Sequence, residues 1–240
     1  MKCLVVFGPK AEVLSALYAD EEFQNWKLVV VGRNLNTFDE RLRQQKKFKE
    51  IISIETDYRE LAKSNDYQSM AEDLTQHLSS IPEKNFFLFA QGNIERSPFF
   101  LQTDDEILNQ LKVNLEFPIR TTHAILKSSL SMLSSHWYYV SSIASQRSDV
   151  GVSLYASTKS ALEKFCETLW LEQKLVSKRG TLKVLRIIMI KGRLSHGLPN
   201  DVENELRELA FNSKFTSKSA LAEYLVKDFS NPTSDTCFIE

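Results

Sequence analysis

Short, nearly continuous apolar runs alternate along this chain with longer segments whose apolar residues recur every three or four positions. The runs occupy residues 3–7, 28–31, 51–54, 86–90, 137–141 and 182–190, with a weaker one at 236–239. Runs of this length without polar alternation suit strands covered on both faces, as in a parallel sheet. Between them the spacing predicts helices over 11–23, 65–79, 103–130, 153–176, 201–211 and 217–229. The first carries Val13, Leu14, Leu17 and Tyr18 on one stripe, and the second Met70, Leu74 and Leu78. The third opens on Thr103-Asp104-Asp105-Glu106, a capping-box pattern. Strand–helix alternation repeated six times predicts an α/β fold, a Rossmann-type doubly wound parallel sheet of about seven strands with helices on both faces. No repeat or Pro/Ser-rich linker divides residues 1–240, so one domain is expected.

Composition narrows this picture. The 30 basic and 31 acidic residues leave a net charge of −1, which gives no electrostatic footprint for nucleic acid or an anionic membrane. No apolar run reaches spanning length, and the apolar start is too short for a secretion signal. Three scattered cysteines and four scattered histidines make no disulfide framework and no metal set, so a reduced, cytoplasmic, metal-free protein is expected. Glycine is the anomaly: seven in 240 residues, under half of the roughly 7% that is usual.

In a doubly wound sheet ligands sit beyond the carboxyl ends of the strands, so chemistry is sought just after each run. The first run is followed by Gly8-Pro9-Lys10-Ala11-Glu12-Val13-Leu14. A pyrophosphate cradle normally has three glycines there; this chain has only Gly8, with Glu12 and Leu14 where others are expected. The second run ends Val31-Gly32-Arg33-Asn34, and an arginine at that place suits a 2′-phosphate. After the fifth run Ser141-Ser142 is followed, thirteen positions on, by Tyr155-Ala156-Ser157-Thr158-Lys159. Residues i and i+4 share a helical face, so Tyr155 and Lys159 project together. An ammonium beside a phenol is expected to lower the phenol's pKa, which makes an acid or base usable near neutrality.

At these residues the chain resembles the short-chain dehydrogenase/reductase family, over nearly its whole length. Phe89-Ala90-Gln91-Gly92 falls where the family has Asn-Asn-Ala-Gly, and Val113-Asn114-Leu115 matches its helical Asn. Val140-Ser141-Ser142 matches the serine strand, Tyr155 and Lys159 the Tyr-x-x-x-Lys pair, and Lys191-Gly192-Arg193-Leu194 the Pro-Gly turn. The resemblance implies that Tyr155 transfers a proton to or from a carbonyl or alcohol oxygen and that Ser142 stabilises that oxygen. It also implies that Lys159 lowers the pKa of Tyr155 and binds the nicotinamide ribose, and that Asn114 supports a water relay. The cofactor it implies is NADP(H) rather than NAD(H), contacted by Gly8, Lys10, Arg33, Asp57, Ala90, Gly92, Tyr155, Lys159, Lys191 and Gly192. Departures from the pattern lie on the cofactor side: the glycine loop is degenerate, Ala90 replaces an Asn, Lys191 replaces the Pro, and His196 stands where a Thr is usual. Lys10, Lys191 and Arg193 are expected near the phosphates, where side-chain charge replaces lost backbone donors.

Two readings follow. In the first the chain is an NADP(H)-dependent oxidoreductase acting on a carbonyl or secondary alcohol. Arg147, Arg193 and His196 on the substrate-side segments lean towards a polar or anionic substrate, such as a phosphorylated sugar or polyol. In the second it is a non-catalytic relative, a nucleotide-binding or interaction subunit. The resemblance also implies a homodimer or homotetramer, paired through the long helices, with Phe165, Leu169 and Trp170 as the candidate patch.

Overall fold

The computed structural model describes residues 1–11, 14–45, 47–147, 150–176, 180–187, 218–233 and 238–239. Seven parallel strands form one sheet: β1 (Cys3–Phe7), β2 (Lys27–Gly32), β3 (Glu50–Glu55), β4 (Asn85–Phe89), β5 (His136–Ser142), β6 (Thr181–Ile187) and β7 (Phe238–Ile239). Their order is β3-β2-β1-β4-β5-β6-β7, so the direction of winding reverses between β1 and β4. Every strand is one of the predicted apolar runs, shifted by a few residues at most among the described positions.

Strand side chains alternate between two cores, because successive residues point to opposite faces. On one face Leu4, Val6, Leu28, Val30, Phe86, Leu88 and Tyr138 pack with Leu17, Phe23 and Trp26 and with Leu221, Leu225 and Phe229. These last three belong to a helix near the end of the chain. On the other, Phe7, Phe89 and Tyr139 stack in a column over Phe117, Ile125, Leu162 and Cys166. Each buried ring contributes about 1.5–3 kcal/mol over an exposed one.

The helices are α1 (Asn36–Gln45), α2 (Tyr58–Ser64), α3 (Tyr67–Thr75), α4 (Asp104–Leu111), α5 (Phe117–Ser128), α6 (Ser153–Val176) and α7 (Lys218–Ser230). The α6 bounds coincide with the expectation, and the Thr103 capping box is formed, with Thr103 Oγ1 accepting from Glu106 N and Glu106 Oε2 from Thr103 N. Elsewhere the structure corrects the pattern. No α-helix is described over 11–23; the chain makes 3-10 turns at Leu17–Ala19 and Glu21–Asn25. Apolar residues at 14 and 17 fit three residues per turn as well as 3.6. Asp20, extended, accepts from Glu22 N through its own carboxylate and starts a new turn. The expected helix from 65 is really two, since Asn65 is the left-handed C-cap of α2 and α3 starts at Tyr67. The expected rod over 103–130 is broken by a π-turn, Lys112–Glu116. Pro118, which has no N–H, cannot bond the carbonyl four residues back, and Phe117 N bonds Lys112 O instead. The helix expected over 201–211 lies outside the described residues.

Candidate functional site

The segments that follow β1, β2, β3 and β4 line a cleft of about 380 Å³. Gly8, Lys10, Arg33, Asn34, Asp57, Arg59, Ala90, Gln91 and Gly92 are among its walls. This is the crevice where the winding reverses, the place such sheets bind ligands.

On one side of it, Gly8 has φ +74, and a Cβ there would stand 2.6 Å from Gln91 N and Cα. The glycine is therefore required by the close pass of the β4 loop as well as by the left-handed backbone. The Tyr58 hydroxyl, buried and 2.6 Å from both Gly8 N and Val31 O, accepts from the first and donates to the second. Its ring lies on Phe117, 3.9 Å between centroids. Burial pushes the Tyr58 phenol well above its ordinary pKa, so it is a neutral strut. The amide that a phosphate cradle would offer is thus already bonded, and no helix N-terminus is described behind it.

Side-chain charge stands in its place. Lys10 Nζ donates to Asn34 O at 2.5 Å. Arg33 and Arg59 each lie 3.4 Å from Asp57 Oδ2, and Asp57 caps α2 through Arg59 N. Burial works to raise the Asp57 pKa, but the Arg59 hydrogen bonds and the two guanidinium charges outweigh it and hold the carboxyl below its usual value. The Glu55 carboxylate accepts from Asn34 N and Leu35 N, closing the turn before α1.

Behind Gly92 and Asn93 on its wall, Asn114, fully buried in the π-turn, accepts from Asn93 N and donates to Asn93 O, both at 2.7 Å. Its amide also reaches Thr158 Oγ1 at 3.3 Å, so it ties the β4 loop to α6. On α6, Lys159 Nζ donates to Val140 O at 3.0 Å and lies 5.8 Å from the centre of the Tyr155 ring. Ser142 Oγ accepts from Ala144 N at 3.2 Å, and Ser142 works to lower the Tyr155 pKa. The structure therefore brings Asn114, Ser142, Tyr155 and Lys159 together. It departs from expectation on charge. Burial raises the Tyr155 pKa, opposed only by Ser142, instead of Lys159 lowering it. Lys159 itself is lowered to about 8 by burial, with Cys166 and Glu163 acting the other way. Two buried groups each favour their neutral form because neither charge is solvated.

Two observations test whether a dinucleotide fits. A Cβ on Gly92 would meet only Asn114 Oδ1 and Lys159 Nζ, at an ordinary 3.9 Å, so the protein itself leaves that space open. Gln91, 6% exposed, presents Oε1 buried without a partner on the cleft wall, an acceptor matched to a ligand hydroxyl. The residues fit a dinucleotide gripped by side chains.

Of the other expected residues, Arg147 lies beside a separate cleft with Ser145, Gln146, Ser153, Ser157 and Ser160. Lys191, Gly192, Arg193 and His196 lie outside the described residues. Leu169 is buried and Phe165 lines an open groove with Tyr67, Ile119, Leu126 and Leu130. Tyr58, Arg59 and Gln91 were not singled out from sequence. The signal for Arg59 was available, since it follows Asp57 by two positions; Gln91 stood in a motif read for its neighbours. Among the described residues no group of His, Cys, Asp and Glu is placed to hold a metal, and no helix is long and apolar enough to cross a membrane.

The chain is 24% identical over 210 residues to a frog (Xenopus laevis) carbonyl reductase family member 4, covering 85% of this chain and 82% of that one. It is 25% identical over 206 residues to a bovine (Bos taurus) 3-oxoacyl-[acyl-carrier-protein] reductase, covering 85% and 81%. Among solved structures, an actinorhodin polyketide ketoreductase with NADPH superposes at TM-score 0.77 with 13% identity, over 99% of this chain and 94% of that one. A short chain dehydrogenase from Salmonella enterica serovar Typhi gives 0.77 and 13%, over 100% and 94%. The short chain dehydrogenase family model matches residues 18–180, the stretch that holds β2 to β5, Asn114, Ser142, Tyr155 and Lys159. By sheet order, by cleft and by this match, the chain is a member of the short-chain dehydrogenase/reductase family of oxidoreductases.

Proposed function

We propose that this protein is an NADP(H)-dependent oxidoreductase that moves hydride between nicotinamide and a carbonyl or secondary alcohol. The observation that carries the reading is the meeting of Ser142, Tyr155 and Lys159, with Lys159 Nζ close to Gly92 on the wall of a cleft that also bears Arg33 and Arg59. The nicotinamide supplies or accepts the hydride. Tyr155, whose pKa is raised, stays protonated at neutral pH and is ready to donate to a developing alkoxide. Ser142 donates to the same oxygen. Lys159, held on Val140 O beside the Tyr155 ring, is the group expected to bind the nicotinamide ribose. Asn114 fixes the loop of Gly92 and Asn93, over which the ribose would lie. Gly8, Ala90 and Gln91 line the passage between, and Lys10, Arg33 and Arg59 favour the 2′-phosphate form over NAD(H), with Lys191 and Gly192 expected near the phosphates.

A polar or phosphorylated sugar or polyol is the substrate class towards which Arg147, Arg193 and His196 lean, and both relatives are named as reductases. Residues 1–240 are read as one domain, working in the cytoplasm as a homodimer or homotetramer joined through the groove between α3, α5 and α6. The Tyr58 hydroxyl on Gly8 N favours a second reading, a non-catalytic relative that has closed its phosphate cradle. A fluorescence titration separates the two. NADPH binding at low micromolar concentration, with turnover of a carbonyl panel that includes phosphorylated and unphosphorylated sugars, supports the first. No binding at high micromolar concentration overturns it.

A further inference from the structure

Beneath Ser142 and Tyr155 lies a buried ion pair to which the roles above give no task. Glu163 sits on α6 one turn beyond Lys159 and two beyond Tyr155, on the same face. It is 6% exposed, and Arg186 on β6 is 8% exposed. Arg186 donates to Glu163 Oε2 from Nη2 at 2.8 Å and from Nε at 3.0 Å. Glu163 Oε1 accepts from Ser141 Oγ at 2.6 Å and from Ser145 Oγ at 2.5 Å. The Gln146 amide oxygen, turned to face Arg186, takes Nη1 at 2.8 Å and Nη2 at 2.9 Å. Ser160 Oγ donates to Ser145 O at 2.6 Å, which pins the same turn to α6 again.

One carboxylate thus joins the residue before Ser142, the turn after it, β6 and the helix that carries Tyr155 and Lys159. A buried ion pair gives little net stability over an apolar replacement, because desolvating two charges offsets their attraction. What this one provides is position. Ser142 accepts from Ala144 N and is flanked by Ser141 and Ser145, both bonded to Glu163, so its distance to the phenol follows from where that carboxylate sits. Glu163 and Cys166 are the titratable groups of α6 that act on Lys159, while β5 presents it only the Val140 carbonyl and the Tyr155 phenol lies above it. Arg186, on β6, pairs with Glu163.

We propose that Glu163 is a positioning residue, which sets the Ser142–Tyr155 geometry through Ser141 and Ser145 and supplies the buried counter-charge of Lys159. The proposal rests on the oxidoreductase reading. Two variants test it. Glu163→Gln removes the charge; Ser145→Ala removes one link and leaves the ion pair. Lys159 is titrated in cofactor-free protein by NMR of lysines labelled with carbon-13 at Cε, its resonance identified by loss in Lys159→Met.

In Glu163→Gln the Lys159 titration moves to lower pH and kcat falls about 10–100-fold, with KM for NADPH within twofold. In Ser145→Ala the titration stays in place and kcat falls about three- to tenfold. A folded Glu163→Gln protein with kcat within twofold of wild type, or with an unmoved Lys159 titration, overturns the proposal. If Glu163→Gln does not fold because Arg186 is left unpaired, Ser145→Ala decides, and kcat within twofold overturns it. Wild-type protein that binds no NADPH overturns the oxidoreductase reading instead, and the Lys159 titration still decides the role of Glu163.

Discussion

The two ends of the candidate site are built from different materials. At the Tyr155 end, Asn114, Lys159 and Glu163 are buried and Ser142 is partly buried, and backbone carbonyls, amides and an ion pair fix each of them. At the Gly8 end the fixed element is Tyr58, and the charged groups Lys10, Arg33 and Arg59 are exposed side chains. The contrast teaches where each function tolerates change. A proton-transfer site loses rate with small displacements. A polyanion is held by any sufficient set of nearby cations. Glycines missing from the loop after β1 therefore leave Ser142, Tyr155 and Lys159 where they are.

The sharpest break between the ends is Tyr155→Phe. Removal of the phenolic hydroxyl is expected to lower turnover about 10³-fold while the NADPH dissociation constant stays within threefold, measured by steady-state rates beside a fluorescence titration. Next is Gly8→Ala, which places a Cβ 2.6 Å from Gln91 backbone at φ +74. A loss of about 3 kcal/mol in urea unfolding is expected, along with weakened NADPH binding, since the β4 loop must give way. Arg33→Ala combined with Arg59→Ala is expected to weaken NADPH about tenfold and NADH less than twofold; each guanidinium in water contributes about 1 kcal/mol or less. Equal loss for both cofactors would place the 2′-phosphate elsewhere.

The last test is one of pH. Lys159, lowered from 10.5 to about 8 by burial, binds fewer protons folded than unfolded between those values. Stability then rises with pH across that window while activity that needs the ammonium falls. Unfolding curves of wild type against Lys159→Met from pH 8 to 10 give the sign. Wild type gains relative to the variant, and a gain of the opposite sign would mean that Lys159 is better solvated than its position on Val140 O implies.

Most of the sheet was legible because strands buried on both faces must be apolar throughout, and little else produces such runs. The pair Tyr155 and Lys159 was legible because helical spacing brings residues four apart together. What escaped has physical reasons. The segment after β1 keeps Leu17, Tyr18 and Phe23 buried whether it turns as an α- or a 3-10 helix, so periodicity does not distinguish them. The short α2 turns only Tyr58 fully into the core. Glu163 and Arg186 are partners 23 positions apart, one on a helix face and one inside an apolar run; their union needs the register of β5 with β6, in which Ser141 lies opposite Arg186. The lowered phenol pKa was inferred from charge alone, and burial reverses it.

The π-turn at Lys112–Glu116 holds a further consequence. Five residues there do the work of about four, so the helix beyond it is rotated by about 100° relative to an uninterrupted rod. That extra residue allows one continuous segment to address two audiences. Asn114 turns towards the ligand loop, while Phe117, Thr121 and Ile125 turn onto the sheet. Deleting a single residue from the turn would restore an ideal helix and make these two orientations incompatible, so here regular geometry would be the defect.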